Sequence, residues 1–313
     1  MEKRELGSSG IAIAPLVFGG NVFGWTADRG RSFELLDRFL EKGFNAVDTA
    51  DVYSAWAPGN KGGESETIIG EWLAQRKRRD DIVLMTKVGM SEHRKGLSAA
   101  NIQAAVEDSL RRLRTDHIDV YFAHIDDENV PLEETLGAFS RLVEAGKVRT
   151  IGASNYKADR LRQALAVSKA QGLSRYEVVQ PAYSLCDRRD FEESLAPIIR
   201  EENLGAVGYF ALASGFLSGK YRSKADVERS SRKHFLERYF DERGERILAA
   251  LHEVSRQLNA PPAQVSLAWL LTRPALTAPI VSATNLAQLD EILGAVDLDL
   301  PADARDRLEA ASR

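Results

Sequence analysis

The residues best suited to chemistry stand in the stretch "NAVDTADVYS", residues 45–54, where an apolar run ends in two carboxylates and a phenol. Asp48, Asp51 and Tyr53 fall within six positions of one another. Singly, each has an ordinary explanation: an aspartate at such a place caps a helix or faces water, and a tyrosine packs against its neighbours. Other apolar runs of the chain also end in polar side chains. Taken together, these polar residues at the ends of the runs indicate a reactive site.

Two further residues complete this set. The runs "DIVLMTK" and "HIDVYFAH" end at Lys87 and His124. A lysine at a strand end often only reaches out to water, and a lone histidine is often a hydrogen-bonded core residue. Together with Asp48 and Tyr53, however, they fit proton transfer to a carbonyl oxygen. A phenol is a weak acid at neutral pH, and we expect the ammonium of Lys87 to bring the pKa of Tyr53 down. Asp48 would hold Lys87 in place, and His124 would orient the carbonyl.

Metal-dependent hydrolysis is a weaker alternative for the same residues. The chain has five histidines and one cysteine, with no HxH or HExxH spacing. A zinc site needs three or four such ligands at close spacing. We therefore expect no metal site.

The elements that carry these residues alternate regularly. Eight short apolar runs, rich in Val, Ile and Phe, are separated by segments with helical periodicity such as 32–43, 98–114 and 131–147. The runs are 15–20, 44–50, 81–87, 117–124, 148–154, 176–182, 204–210 and 276–282. This alternation predicts a parallel sheet with helices on its faces, and eight units fit a (β/α)8 TIM barrel better than a doubly wound sheet. Strand ends of such a barrel meet at one face, so the polar residues would converge there.

Two segments and the lack of a dividing linker refine this prediction. The stretch "KRELGSSGIAIAP", residues 3–15, predicts an N-terminal β-hairpin that turns at Gly7–Gly10 and plugs the bottom of the barrel. No low-complexity linker or internal repeat divides the chain, so we expect one domain over residues 1–313. Residues 221–243 are dense in charge, which is typical either of a solvated surface loop or of a mobile lid over a ligand.

Composition narrows the class of protein. The 313 residues include 42 basic and 46 acidic ones, for a net charge of −4, and no block of like charge points to nucleic acid. The single cysteine, Cys186, is compatible with a reducing compartment. The apolar stretches 11–27 and 204–219, which carry no charge, are short for a bilayer span, and residues 1–10 have no apolar core of a secretory signal. We expect a cytoplasmic protein with a small-molecule partner, and the oligomeric state stays open.

At the reactive residues the chain resembles the aldo-keto reductase superfamily over essentially its full length, in the branch near bacterial reductases and potassium-channel β-subunits. "DTADVY" is similar to the signature Asp-Thr-Ala-x-x-Tyr, "TKVG" supplies Lys87, and "IDVYFAHIDDENVPLEETL" carries His124. The resemblance implies Tyr53 as general acid, Lys87 and Asp48 as its tuning pair, and His124 as the group that orients the carbonyl. It also implies a nicotinamide cofactor bound without a Rossmann unit, in agreement with the lack of a GxGxxG after any predicted strand.

The resemblance also implies where the cofactor binds. Ser154 and Asn155 of "GASNY" would contact the nicotinamide carboxamide, with Gln180 beside them, and Tyr209 would stack on the nicotinamide ring. The segment "FALASGFLSGKY" is similar to the loop that wraps the pyrophosphate. Its implied ligands are Phe210, Ala211, Leu212, Gly215 and Lys220, of which the first two depart from the usual Ser-Pro.

The adenosine end is implied in "VSATNLAQLDEI", residues 281–292. The residues concerned are Ser282, Thr284, Gln288 and Glu291. Thr284 offers a hydroxyl to a 2′-phosphate, but the segment has no basic residue, and Arg232 is a candidate to supply one. NADP(H) is favoured, and NAD(H) remains open.

The substrate would enter between two long loops. Trp25 and Trp56 could form apolar walls around an aldehyde or ketone near His124, or could pack only on their own loops. Asn60 and Lys61 on the loop after Tyr53 could admit polar substrates, and Asp126 and Asp127 could meet substrate hydroxyls or simply begin a turn. The leading hypothesis is an NAD(P)H-dependent reductase of aldehydes and ketones. The alternative is a cofactor-sensing, non-catalytic binding module resembling the channel β-subunits.

Overall fold

The computed structural model describes residues 1–221, residue 226 and residues 233–313. Eight parallel strands close into a barrel, with helices between successive strands, which confirms the predicted (β/α)8 TIM barrel. Within the described residues the strands are, in chain order, β1 (Arg4–Glu5), β2 (Ala12–Ile13), β3 (Val17–Gly19), β4 (Ala46–Asp48), β5 (Val83–Val88), β6 (Met90–Ser91), β7 (Arg94–Lys95), β8 (Ile118–Ala123), β9 (Val148–Ser154), β10 (Tyr176–Gln180), β11 (Gly205–Gly208) and β12 (Ala278–Val281). The order around the barrel is β3-β4-β5-β8-β9-β10-β11-β12, and β12 pairs with β3 to close it.

The helices cover the outside of the barrel, and four of those described begin at a residue whose side chain caps the first turn. They span Arg29–Glu41, Glu64–Arg76, Ala99–Leu113, Leu132–Glu144, Ala158–Gln171, Ala196–Glu201, Lys233–Leu236, Glu242–Leu258, Pro262–Leu271, Leu286–Leu293 and Ala302–Ser312. The side chains of Asp28 and Ser98 accept hydrogen bonds from backbone N–H groups in the first turns of two of them. Gly43 and Gly146 follow two helix ends with φ of +88° and +70°, a conformation that favours glycine.

The N-terminal hairpin closes the bottom of the barrel, as predicted. Strands β1 and β2 pair antiparallel, with Arg4 opposite Ile13. Leu6, Ile11 and Ile13 are buried in the same apolar cluster as the residues that fill the barrel interior. Gly7, at φ +59°, approaches β11 so closely that a Cβ would lie 2.5 Å from the backbone nitrogen of Gly205. Only glycine fits this contact, and the seal therefore depends on it.

The strand register brings the carboxyl ends together. Asp48 at the end of β4 lies opposite Gly19 of β3 and Met85 of β5, and Gln180 at the end of β10 lies opposite Ser154 of β9. In a barrel of parallel strands these ends form one face, where loops can build a site. No helix in the described parts of the chain is both long and apolar enough to cross a membrane.

Candidate active site

A lysine and an aspartate form a buried ion pair at the centre of the barrel mouth. Lys87 lies at 0% exposure on β5 and Asp48 at 1% on β4, and the Lys87 Nζ to Asp48 Oδ2 distance is 2.7 Å. The ammonium donates two further hydrogen bonds, to the Thr49 carbonyl oxygen at 2.7 Å and to the Tyr53 hydroxyl at 2.8 Å. All three N–H groups of Lys87 are thus used, which compensates the cost of burying its charge.

Tyr53 shares its hydroxyl between the two charged groups. The phenol oxygen accepts from Lys87, and its hydrogen points to Asp48 Oδ2 at 3.2 Å, a long hydrogen bond. The other carboxylate oxygen, Asp48 Oδ1, accepts from Gln180 Nε2 at 2.8 Å. Asp48 therefore accepts hydrogen bonds from Lys87, Gln180 and Tyr53, and the one from Tyr53 is the longest of the three.

The pKa of Tyr53 corrects one expectation. Burial raises this pKa well above its ordinary value, and the charge of Asp48 and the hydrogen bond to it add to the rise. The prediction that Lys87 brings the pKa down is wrong here, because the ammonium also serves Asp48, and burial outweighs its effect. Burial likewise lowers the pKa of Lys87, while Asp48 opposes that change. The phenol consequently keeps its proton at neutral pH.

His124 stands next to this cluster at the end of β8. Its ring centre lies 6.1 Å from that of Tyr53, with the planes at 71°. Burial, and then the charge of Lys87, lower the pKa of His124 well below its ordinary value, so the imidazole is neutral at pH 7. Its buried Nδ1 has no hydrogen-bond partner within the part of the chain that the structure describes. A neutral ring of this kind can donate a single N–H to a carbonyl oxygen.

Near Lys87 lies a second buried acid, Asp51, for which the sequence predicted no role. Asp51 is 4% exposed, and neither carboxylate oxygen has a hydrogen-bond partner among the described residues. Burial and then the charge of Glu66 raise the pKa of Asp51 to about 8. Arg112, the backbone N–H of Val52 and Lys87 pull the other way without cancelling the rise.

Glu66 itself is fully buried and held by a bond of 2.6 Å from Arg112 Nε and another of 2.6 Å from Thr86 Oγ1. Two carboxyl groups therefore lie under the site, but only Glu66 has direct partners. Nothing in the spacing of the sequence signals this, since Glu66 and Arg112 meet only when two helices pack side by side.

The residues expected at the nicotinamide lie together across the mouth from Asp48. Asn155 accepts a hydrogen bond of 2.6 Å from the Tyr209 hydroxyl, and its Nδ2 donates to the His124 carbonyl oxygen at 2.8 Å. Ser154 Oγ donates to the Gln180 carbonyl oxygen at 3.1 Å. Tyr209 remains partly exposed at the mouth. These hydrogen bonds join four predicted residues into one cluster, Ser154, Asn155, Gln180 and Tyr209. Gln180 connects this cluster to the ion pair of Lys87 and Asp48.

The expected pyrophosphate loop has an unusual backbone. Positive φ angles occur at Phe210, Ala213 and Ser214, and Gly215 has φ +100°. A Cβ on Gly215 would lie 3.3 Å from Lys220 Nζ, so the glycine leaves room for the ammonium to lie against the backbone. Ala211 is buried and Leu212 is half-buried beside them. The loop therefore places the ammonium of Lys220 beside the backbone of the buried Gly215.

The segment expected at the adenosine end lies after β12. Thr284 donates from both its backbone nitrogen and its hydroxyl to Gln288 Oε1, at 3.1 and 2.9 Å. Ser282 instead faces the barrel, where its hydroxyl donates to the Gly19 carbonyl oxygen at 2.7 Å. Glu291 is exposed on the following helix. Arg232, the predicted phosphate ligand, lies outside the described residues, as does much of the segment 221–243.

Two basic residues near that end were missed from the sequence. His252 and Arg256, on the helix Glu242–Leu258, line a cavity of about 900 Å³ together with Gly219 and Glu291. They lie some distance along the chain from the segment 281–292, so no local motif connects them with it. Because His252 and Arg256 are four positions apart on one helix, the sequence does indicate that they share one helical face.

The two predicted substrate tryptophans meet above Tyr53. Trp56 is 48% exposed, and its ring centre lies 5.9 Å from that of Trp25 and 5.9 Å from that of Tyr53. Both contacts are edge-on, a favourable arrangement for aromatic rings. No cluster of metal-ligating side chains occurs in residues 1–221, 226 and 233–313.

Comparison with known proteins agrees with this geometry. The model of the Aldo/keto reductase family matches residues 15–313. The uncharacterized oxidoreductase YrpG of Bacillus subtilis is 35% identical over 96% of this chain and 92% of its own length. Norsolorinic acid reductase of Aspergillus flavus is 31% identical over 94% and 76%, and a probable voltage-gated potassium channel subunit beta of Arabidopsis thaliana is 30% identical over 95% and 92%. With a closed eight-stranded barrel and a match over nearly all of its length, this chain belongs to the aldo/keto reductase family.

Proposed function

We propose that the protein is an NAD(P)H-dependent reductase of aldehydes and ketones, with Tyr53 as general acid. The observation that carries the proposal is the 2.8 Å contact between the Tyr53 hydroxyl and Lys87 Nζ on a fully buried ion pair. A phenol placed so has a proton to give and a cation that stabilises the phenolate left behind. Membership of a family of oxidoreductases supports the same reaction class.

The proton transfer follows from the two hydrogen bonds of the Tyr53 hydroxyl, to Lys87 and to Asp48. The hydrogen of Tyr53 now lies toward Asp48 at 3.2 Å, and a carbonyl oxygen at normal hydrogen-bond distance would take it over. As negative charge grows on that oxygen, the proton moves to it, and Lys87 holds the phenolate through its existing hydrogen bond. His124, neutral because of its lowered pKa, donates a second hydrogen bond to the same oxygen.

The site also fits a nicotinamide cofactor. Ser154, Asn155 and Tyr209 would hold the nicotinamide, and the cradle at Gly215 with Lys220 suits a pyrophosphate, because an added Cβ would fill it. When bound, the reduced cofactor supplies hydride to the carbonyl carbon. Gln180 would then have a positioning role, since its amide is bound to Asp48 Oδ1.

We favour NADP(H) over NAD(H). Support comes from Arg256, whose cation lines the cavity together with His252 and Glu291, and from Thr284, whose hydroxyl stands in the segment expected at the adenosine end. Arg256→Gln should weaken NADPH binding and leave NADH binding within about twofold. A fluorescence titration with both cofactors measures this. Equal loss for the two cofactors would remove Arg256 from phosphate recognition.

A turnover assay tests the proposed function itself. Wild-type protein saturated with NADPH should oxidise it only when an aldehyde or ketone is added. Tight cofactor binding without turnover on any carbonyl would overturn the reductase proposal. That result would favour the cofactor-sensing binding module, to which the similarity with the Arabidopsis channel subunit points.

A further inference from the structure

One buried carboxyl group next to the ion pair takes no part in the proton transfer described above. Asp51 stands in the turn that follows β4, and its backbone N–H donates to the Lys87 carbonyl oxygen at 3.3 Å. Its side chain is buried, and neither carboxyl oxygen accepts a hydrogen bond in the portion of the chain that is described. A carboxylate in such a place would lose its hydration and gain no hydrogen bond in return. The protonated, neutral acid is therefore the favoured form.

The charged groups that act on Asp51 come from three neighbouring elements. They are Glu66 and Arg112, on two helices that pack side by side, and Lys87 on β5. A further neighbour, Tyr121 on β8, is a buried phenol and carries no charge. Arg112 is already bonded to Glu66, and all three N–H groups of Lys87 are in use. Both of these cations are thus bonded to groups other than Asp51.

The charges of these ion pairs balance only while Asp51 is neutral. Lys87 with Asp48, and Arg112 with Glu66, form two pairs whose charges cancel. Ionisation of Asp51 would add one negative charge that neither pair compensates. That charge would act on Lys87, because the two side chains already influence each other. Burial lowers the pKa of Lys87, while Asp48 and then Asp51 oppose this change.

Lys87 is also the cation that faces the Tyr53 hydroxyl, at 2.8 Å. In the proposed reaction it stabilises the phenolate that remains after the proton has moved to the substrate. An ionised Asp51 would oppose the formation of this phenolate, because like charges repel strongly where water is excluded. Tyr53 would then be a weaker acid, and proton transfer to the substrate oxygen would be slower.

We propose that Asp51 is a positioning residue that acts as a neutral acid: while it keeps its proton, the charge of Lys87 stays available to the phenolate of Tyr53. The proposal rests on the reductase function proposed above. Asp51 gives up no proton during turnover, so its carboxylic acid can be replaced by a group of the same shape without charge. Asparagine is such a group, and it stays neutral at every pH.

The pH dependence of a single turnover tests the proposal. Protein saturated with NADPH at pH 7 is mixed with excess benzaldehyde in buffers from pH 7 to pH 9.5, and the oxidation of NADPH is followed by stopped flow. The wild-type rate constant should be level up to about pH 8, because burial and then the charge of Glu66 raise the pKa of Asp51 to about 8. By pH 9.5 it should fall roughly tenfold, which corresponds to one unit in the pKa of the proton donor. Tyr53 itself keeps its proton in this range, since burial raises its pKa well above the ordinary value.

Three variants separate the charge of Asp51 from its packing. Asp51→Asn cannot ionise, so its rate constant at pH 9.5 should stay within about twofold of its own value at pH 7. Tyr121→Phe is the matched control and should keep the fall of the wild type, because it removes a neighbouring buried polar group but no charge. Glu66→Gln should move the fall to lower pH, since the charge of Glu66 adds to the effect of burial on the pKa of Asp51. The midpoint of the fall does not depend on how much of a variant is folded.

The remaining outcomes count against the role of Asp51. A level wild-type profile up to pH 9.5, or a fall that Asp51→Asn shares, overturns the inference and leaves the reductase function standing. Loss of the fall in Tyr121→Phe overturns it too. Tryptophan fluorescence after the same change of pH reports unfolding, and a signal that follows the loss of rate would also reject the inference. Absence of turnover with every aldehyde and ketone at pH 7 would reject the reductase function instead.

Discussion

Replacing Asp51 by asparagine should change how stability depends on pH. The carboxyl is 4% exposed, its oxygens lack hydrogen-bond partners among the described residues, and its pKa is raised from 3.8 to about 8. Between pH 4 and pH 8 the folded protein therefore keeps a proton on Asp51 that the unfolded chain has already released. In that window stability falls as pH rises, because the unfolded state holds fewer protons. An asparagine side chain cannot titrate, so the Asp51→Asn variant escapes this loss.

The size of the effect follows from the same shift. The unfolding equilibrium constant of the wild type should rise about tenfold per pH unit relative to the variant, from pH 5 to pH 7. By pH 8 the accumulated difference is roughly 5 kcal/mol, the free energy that corresponds to a pKa raised from 3.8 to about 8. At pH 5 the two proteins should differ least, since this pH is nearest to the ordinary pKa of 3.8 and the smallest part of the loss has accumulated there.

Urea unfolding at pH 5, 6, 7 and 8, with linear extrapolation to water, measures the difference. Tyr121→Phe is the matched control. Tyr121 is buried beside the same acid and has a pKa raised well above its ordinary value by burial and by the charge of Asp51, so its phenol does not titrate in this range. Its removal should shift stability by a constant amount. A pH-independent difference for Asp51→Asn would refute the reasoning and show that this carboxylate is solvated or paired.

Three further outcomes follow from the site. Lys87→Met should lower the free energy of unfolding by about 3–5 kcal/mol in urea, because Asp48 is left as a buried charge without its partner; no loss would show that the pair is not buried. Reductase kcat should not change with pH between pH 6 and pH 8, because His124 becomes protonated only in acid, below its lowered pKa. An inflection of the kcat–pH profile near pH 6.5 that disappears in His124→Asn would contradict this. Gly215→Ala should raise the Kd of NADPH about fivefold or more, because an alanine is strained at φ +100° and its Cβ crowds Lys220. The control Gly10→Ala is also strained, at φ +70°, but faces open space and should leave this Kd unchanged. Equal Kd values for both variants would argue against a pyrophosphate site at Gly215.

The fold and the central residues were accessible from the sequence because both depend on local pattern. Continuous apolar runs between amphipathic segments specify a parallel barrel, and the glycines after helix ends mark their limits. Asp48, Lys87 and His124 stand where such runs end, so the shared face of the strand ends is enough to bring them together.

The remaining features of the site depend on distant parts of the chain. Gln180 reaches Asp48 across 132 positions because the barrel closes, and no local spacing encodes that contact. Arg256 joins the cavity near Glu291 through helix packing. The pKa of Tyr53 was predicted in the wrong direction because it is a balance between burial, one cation and one carboxylate. Sequence shows which groups are present but not how deeply each is buried.

The most direct test of the account compares Tyr53→Phe with the wild type. The substitution removes the hydroxyl that lies 2.8 Å from Lys87 and keeps the ring that packs on Trp56. We predict that kcat for carbonyl reduction falls by about 10²–10⁴-fold, the usual contribution of a general acid, while the Kd of NADPH changes less than about threefold. Turnover within tenfold of the wild type would contradict the assignment of Tyr53 as the proton donor.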